Sequence, residues 1–271
     1  MDQAQPNPTQ IRIQVNDKKE KPMMKRIVGI IIPLIICATL VAQENANIYR
    51  VVYLKPKAGQ KEQFLAGLKE HTKKHHSKGV SKVRTHEVVS GDKAGWYVRS
   101  SGPFTWADVD KYEADHNSKA HAAHGAKVLG PYIGDRVGPM YWARRDDMSY
   151  NRDTSGKPSK MVRVNFTHLN AVMNGEYSEL RQQIKEAHEK TNSDASFTVG
   201  QLVHGGKMHT FAQFYPLNSW ADMASSGQSM ASRVDEVFGA GGFGRLMSKA
   251  QKITYKRHDE MRVYMKDYST R

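Results

Sequence analysis

The sequence predicts an α+β protein built from two tandem units, each running β-α-β-β-α-β. Three observations carry that expectation. Segments recur in one order: Phe104–Asp108 is echoed by Asn218–Asp222, Tyr49–Tyr53 by Val162–Phe166, and Met140–Arg144 by Arg262–Lys266. The spacing, about 113 to 123 residues, is far too long for a solenoid repeat, so each unit should own a core. An aromatic-rich segment, Trp96–Arg99 or Phe211–Tyr215, stands before each Trp-Ala-Asp echo. Within each copy, stretches of period-two hydrophobicity alternate with stretches of helical spacing.

In the first unit, Ile48–Lys55 alternates and is rich in Val and Tyr, as a strand requires. Pro56 and Gly59 end it. From Gln60 to about His76 the apolar residues Phe64, Leu65 and Leu68 follow helical spacing, and Gly79 is a natural stop. Val83–Val89 and Trp96–Ser101 read as strands joined by the turn Ser90-Gly91-Asp92-Lys93. Thr105 has the side chain of an N-cap for a helix through Trp106, Val109 and Tyr112. Gly130-Pro131 closes the helical region, and Val137–Arg144 is the last strand.

The second unit follows suit. Met161–Leu169 is a strand, Glu176–Lys190 a helix with Tyr177, Leu180, Ile184 and Ala187 on one face. Phe197–Val203 and His209–Tyr215 form a hairpin through Gly205-Gly206. Ser219 caps a second helical region, which the glycine-rich stretch Phe238–Gly244 interrupts as a loop, and Met261–Tyr268 is the closing strand. Polar Asn151–Ser159 is the linker. The expected organisation is an N-terminal extension and signal peptide over 1–43, units over 44–150 and 160–271, and the linker over 151–159.

The leader expectation rests on Met23-Met24-Lys25-Arg26 followed by an apolar run from Ile27 to Ala42. A basic start and a run of that length match a secretory signal and are short for a bilayer span. Cleavage near Ala42 or Gln43 would give an exported, periplasmic or extracellular, protein; the alternative is an anchor over 27–42. Cys37, the only cysteine, lies in that run, so the mature chain would use neither disulfides nor thiolates. Of the net charge of +14, about +11 lies beyond residue 43. It suits a soluble basic protein, or one drawn to an anionic envelope surface. No nucleic-acid-binding motif accompanies it.

The order βαββαβ is that of the ferredoxin-like sandwich, which leaves one sheet face bare. Two such units in one chain can cover each other sheet to sheet as an intrachain pseudo-dimer, avoiding a large exposed apolar patch. The chain here resembles the dimeric α+β barrel superfamily, which includes antibiotic-biosynthesis-monooxygenase-like and stress-responsive barrel proteins. The element order, the strand-end aromatic before Trp-Ala-Asp, and Asp115-His116-Asn117-Ser118-Lys119-Ala120-His121 carry the resemblance, which spans about residues 47–271.

Histidines on the second helical region of unit one, His116, His121 and His124, are the leading site candidates. His121 and His124, three apart, share a helix face, whereas His116 should point elsewhere. In haem-degrading members of the superfamily a helix histidine at a similar spacing from an aspartate is the axial iron ligand. The resemblance therefore implies His121 as a haem ligand or catalytic group. Those enzymes also use a first-strand asparagine. Asn165 has that place only in unit two, where Met230, Asp235 and Phe238 replace the histidines. His71 and His75, at i and i+4, could grip a metal, but Lys69, Lys73, Lys74 and Lys78 crowd the same helix end, where cations suit the dipole. Trp106, Tyr112, His116, His124 and Trp220 are the expected pocket residues, although Trp106 and Trp220 recur in both units and equally suit helix–sheet packing. Three functions stay open: binding of a small apolar or aromatic ligand in unit one, a haem- or oxygen-dependent monooxygenase-like activity at His121, or a structural role toward an envelope partner. No nucleophile elbow, phosphate loop, zinc-spacing motif or dinucleotide fingerprint is present.

Overall fold

A computed structural model describes residues 45–224 and 227–270. The expected leader, its apolar run and Cys37 lie outside the described residues. The first half comprises β1 (Ile48–Pro56), α1 (Lys61–His75), β2 (Arg84–Ser90), β3 (Tyr97–Phe104), α2 (Trp106–His116), α3 (Lys119–Val128) and β4 (Ile133–Arg144). The second comprises β5 (Met161–Leu169), α4 (Asn174–Lys190), β6 (Thr198–His204), β7 (Thr210–Leu217), α5 (Met230–Phe238), α6 (Gly242–Ile253) and β8 (Thr254–Tyr264).

The eight strands form one closed antiparallel barrel in the order β1-β3-β2-β8-β5-β7-β6-β4. The halves join along two seams, β2 with β8 and β4 with β6, so no strand keeps a free edge. Strand alternation then sorts side chains into two environments. Val51, Tyr53, Val88, Val98, Trp142, Val164 and Phe166 fill the barrel interior. Val52, Leu54 and Tyr97 face outward, where Phe64 and Leu68 of α1 and Leu129 cover them. The second half packs α4, α5 and α6 similarly around Leu180, Phe211, Val234 and Leu246. Inside the barrel, Arg262 donates to Glu260 and to the Tyr53 hydroxyl, which itself donates to Glu260 at 2.8 Å. This buried polar knot ties β1 to β8 across the halves.

The Trp-Ala-Asp echo is a helix-start device. Thr105 and Asp108 form a reciprocal capping box at α2, and Ser219 and Asp222 form one at the short 3₁₀ turn Trp220–Met223. Each second helical region then departs from a continuous helix. In the first half, α2 stops at His116 and Ser118 starts α3 by accepting from the His121 backbone N–H. Serine competes for backbone donors in this way, and apolar periodicity does not register it. In the second half, α5 and α6 are separated at Gly239–Gly241, where Gly241 takes a left-handed conformation.

One contact sets α1 against α3. A Cβ added at Gly67 would lie 1.9 Å from the Val128 carbonyl oxygen and 2.8 Å from its carbon, both backbone atoms. Alanine would gain about 1 kcal/mol of helix propensity. Overpacking, costing about 1–3 kcal/mol, should outweigh that gain. We therefore expect Gly67→Ala to lower the urea midpoint; a raised midpoint would contradict the close approach.

A candidate histidine-lined cleft

The break after α2 gathers six imidazoles. His71 faces inward from α1, His75 and His76 end that helix, His116 ends α2, and His121 and His124 lie on α3. The His121 ring centroid lies 4.7 Å from that of His71, 4.5 Å from His75, 5.2 Å from His76 and 4.5 Å from His116. His116, expected to point away from His121, meets it because α2 and α3 are separate helices. Lys73, Lys74 and Lys78 are exposed, while His71 and His76 are buried. Helical geometry thus turns the lysines outward and His71 and His76 inward, although Lys74 still acts on His75.

Hydrogen bonds orient several of these rings. Nε2 of His124 lies 3.1 Å from Glu70 Oε1, and Nδ1 of His124 lies 3.2 Å from Nδ1 of His71. Nε2 of His71 lies 3.0 Å from Nε2 of His121, whose Nδ1 is 4.0 Å from Asp115 Oδ2. His76 Nδ1 lies 2.8 Å from the Ser81 carbonyl, and the Ser81 hydroxyl donates to Asp115 at 2.7 Å. Burial, reinforced by nearby cations and imidazoles, pulls His71 down to about 3, His76 to about 2, and His116 and His121 each to about 4. These rings are neutral at pH 7, the form that binds metals and accepts protons.

The cluster forms one end of a cleft of about 370 Å³ between the outer sheet face and the helices of the first half. Val52, Leu54, Leu129 and Ile133 supply apolar wall, and Tyr112 and His116 line it as expected. Three arginines also line it, Arg50, Arg99 and Arg136. Arg50 donates to Glu113 at 2.6 Å, and Tyr141 donates to the same carboxylate oxygen at 2.6 Å. Arg99 is 9% exposed and donates to Thr72 Oγ1 at 3.0 Å. Among the described residues neither Arg99 nor Arg136 forms an ion pair with a carboxylate. Burial and the neighbouring Arg50 pull Arg99 down to about 10, and both causes lower Arg136 as well.

Three expected pocket residues, Trp106, Trp220 and His124, lie outside the cleft lining. Trp106 and Trp220 are 42% and 58% exposed and do not line the cleft, so they are not helix–sheet core either. Each is the first residue after its cap and points out, whereas Val109 and Tyr112 turn inward on α2. The His124 ring stacks on that of His71 at 5.5 Å and does not line the cleft. Asn165 lies on β5, away from the cleft, with its buried Oδ1 unpartnered. The arginines escaped the sequence reading, although Arg50 and Arg99 stand within otherwise apolar strands, which was the available signal.

Around His121, the expected haem ligand, four imidazoles crowd the ring and His71 meets its Nε2 at 3.0 Å, while the ring also lines the cleft.

The fold and cleft define the class of the protein: an α+β barrel with a cationic, histidine-lined cleft in one half. Solved structures share that fold. A candidate monooxygenase from Fusobacterium nucleatum superposes with TM-score 0.51 at 9% identity, covering 81% of this chain and 92% of the other. An anthrone oxidase-like protein gives 0.50 at 9%, covering 82% and 92%. A mutant chlorite dismutase from Candidatus Nitrospira defluvii gives 0.48 at 10%, covering 84% and 94%. At such identity the likeness to the first two shows an α+β barrel fold alone. No protein-family model and no curated protein sequence matches the chain.

Proposed function

We propose that the first-half cleft binds a small organic anion, its apolar body against Val52, Leu54, Leu129 and Ile133 and its acidic group at Arg99 and Arg136. The buried Arg99 guanidinium carries this reading. A charge taken from water without an opposite partner is costly, and an anion entering the cleft would supply one. Arg50 is already engaged by Glu113, which leaves the other two for the ligand. The lining turns the expected apolar or aromatic ligand into one with an acidic head. Charge-assisted hydrogen bonds from a fixed guanidinium suit a carboxylate.

The test compares benzoate with neutral benzamide by calorimetry. Benzoate should bind about tenfold or more tightly, given about 1.5–3 kcal/mol for a hydrogen bond to a charged group. Arg99→Met should erase the difference while keeping the fold, because it removes a buried charge and retains an apolar stem. Equal binding of both probes to the parent protein would overturn the reading.

Two wider readings accompany it. The halves are read as tandem ferredoxin-like units, supported by their matching element order and paired capping boxes at Trp106 and Trp220. The basic start and apolar run over residues 23–42 support export with cleavage near Ala42 or Gln43. Intact mass of material from the cell envelope or medium should show loss of the leader; a full-length, membrane-held product would establish the anchor instead.

A further inference from the structure

The geometry points to a second ligand at the inner end of the cleft: a divalent transition-metal ion, of the zinc class, held by Nε2 of His71, His76 and His121. This site does not depend on anion binding. It stands on three observations: convergence of the donor atoms, the proton placement that surrounding groups impose, and a lone pair left uncompensated without a cation.

All three imidazoles are buried, and their ligating nitrogens lie within 4.8 Å of one another. Metal–nitrogen bonds of about 2.0–2.1 Å place two tetrahedral ligands ~3.4 Å apart. The His71 and His121 nitrogens, at 3.0 Å, are within tenths of an ångström of that. Two residues come from the end of α1 and one from α3, held together where Gly67 lets the helices touch.

Proton placement follows from the outer partners. The Glu70 carboxylate accepts from Nε2 of His124, and a neutral His124 then has its lone pair on Nδ1. His71 must then donate from Nδ1, which leaves its lone pair on Nε2. His76 donates from Nδ1 to the Ser81 carbonyl, leaving Nε2 a lone pair, and that atom is buried without a partner. Outer partners that fix imidazoles in this way are the usual support of a metal site.

His121 then has no satisfactory neutral state on its own. With its proton on Nδ1, its Nε2 lone pair faces that of His71 at 3.0 Å. With its proton on Nε2, its Nδ1 lone pair faces the Asp115 carboxylate at 4.0 Å with no donor. A cation between the Nε2 atoms, with the His121 Nδ1 proton toward Asp115, removes the conflict. Neutral imidazoles favour zinc, copper, nickel or iron over magnesium or calcium. Because all three ligands line the cleft, a fourth coordination position would open toward it, as in zinc sites that keep one place for an exchangeable ligand.

An outer set, His71, His75 and His124, shares His71 and is the competing arrangement. The full chain, stripped with chelator, is titrated with Co(II) and then Zn(II), following visible absorption and metal content. We expect one equivalent of Co(II) with the intense bands of a four-coordinate site, displaced by Zn(II). His76→Ala and His121→Ala should each weaken binding at least about 100-fold. His124→Ala, which removes an outer partner, should weaken it about 10-fold. His75→Ala and the remote His209→Ala should leave it within about threefold. Circular dichroism checks each fold, and His76→Asn, which keeps a donor for Ser81, replaces any alanine variant that fails to fold. Absence of saturable one-equivalent binding would overturn the site. So would binding that survives loss of His76 and His121 but not of His75, which would place the ion on the outer set.

Discussion

Closure of the barrel is the constraint on which the rest depends. Seams β2–β8 and β4–β6 commit one face of every strand to a shared interior, and the histidine-lined cleft is built on the outward face, under the helices. On β1 the alternation gives Val51 and Tyr53 to the interior and Arg50 and Val52 to the helix side. On β3, Val98 goes inward and Tyr97 and Arg99 outward. The cleft is therefore the gap between an outer sheet face and α1, α2 and α3. The second half packs an apolar cluster under its helices and has a cleft of its own there, about 500 Å³, lined by Tyr177, Arg181, Gln213 and Arg257 but by no histidine.

The cleft concentrates groups that burial disfavours in their charged forms. The histidines respond by staying neutral. Arginine deprotonates only with great difficulty, so Arg99 keeps its charge at a cost. Such costs make sense where a ligand offsets them, since stability is commonly given up at binding sites. The barrel's own buried cation, Arg262, differs: Glu260 and Tyr53 satisfy it, and it serves to lock the halves together. Arg262 is thus a paired buried cation, whereas the proposed function rests on Arg99, which has no carboxylate partner among the described residues.

Much of the fold was legible in the sequence. Alternating Val and Tyr in β1, the Gly91 turn, the Thr105 and Ser219 caps, and the helical spacing in α1 and α4 are local signals, and the structure honours them within a few residues. The site was less legible because it depends on what breaks a pattern. Ser118 ends one helix and begins another without disturbing the apolar period, and that break brings His116 to His121. The lysines beside His71 and His75 are neighbours in sequence but lie on the outer surface. Trp106 and Trp220 drew attention by recurring, yet they recur as the exposed first residues of capping turns. The cleft arginines signal themselves only as charges in apolar strands, whose facing partner emerges once three helices are placed.

The central claim is that the fold holds His71 and His76 as neutral imidazoles with protons on Nδ1 and Nε2 lone pairs turned toward one point. Long-range ¹H–¹⁵N correlation spectra of chelator-treated, histidine-labelled protein at pH 7 read this directly. The account predicts that both rings are neutral and carry their proton on Nδ1. Imidazolium signals, or protons on Nε2 of both residues, would contradict it.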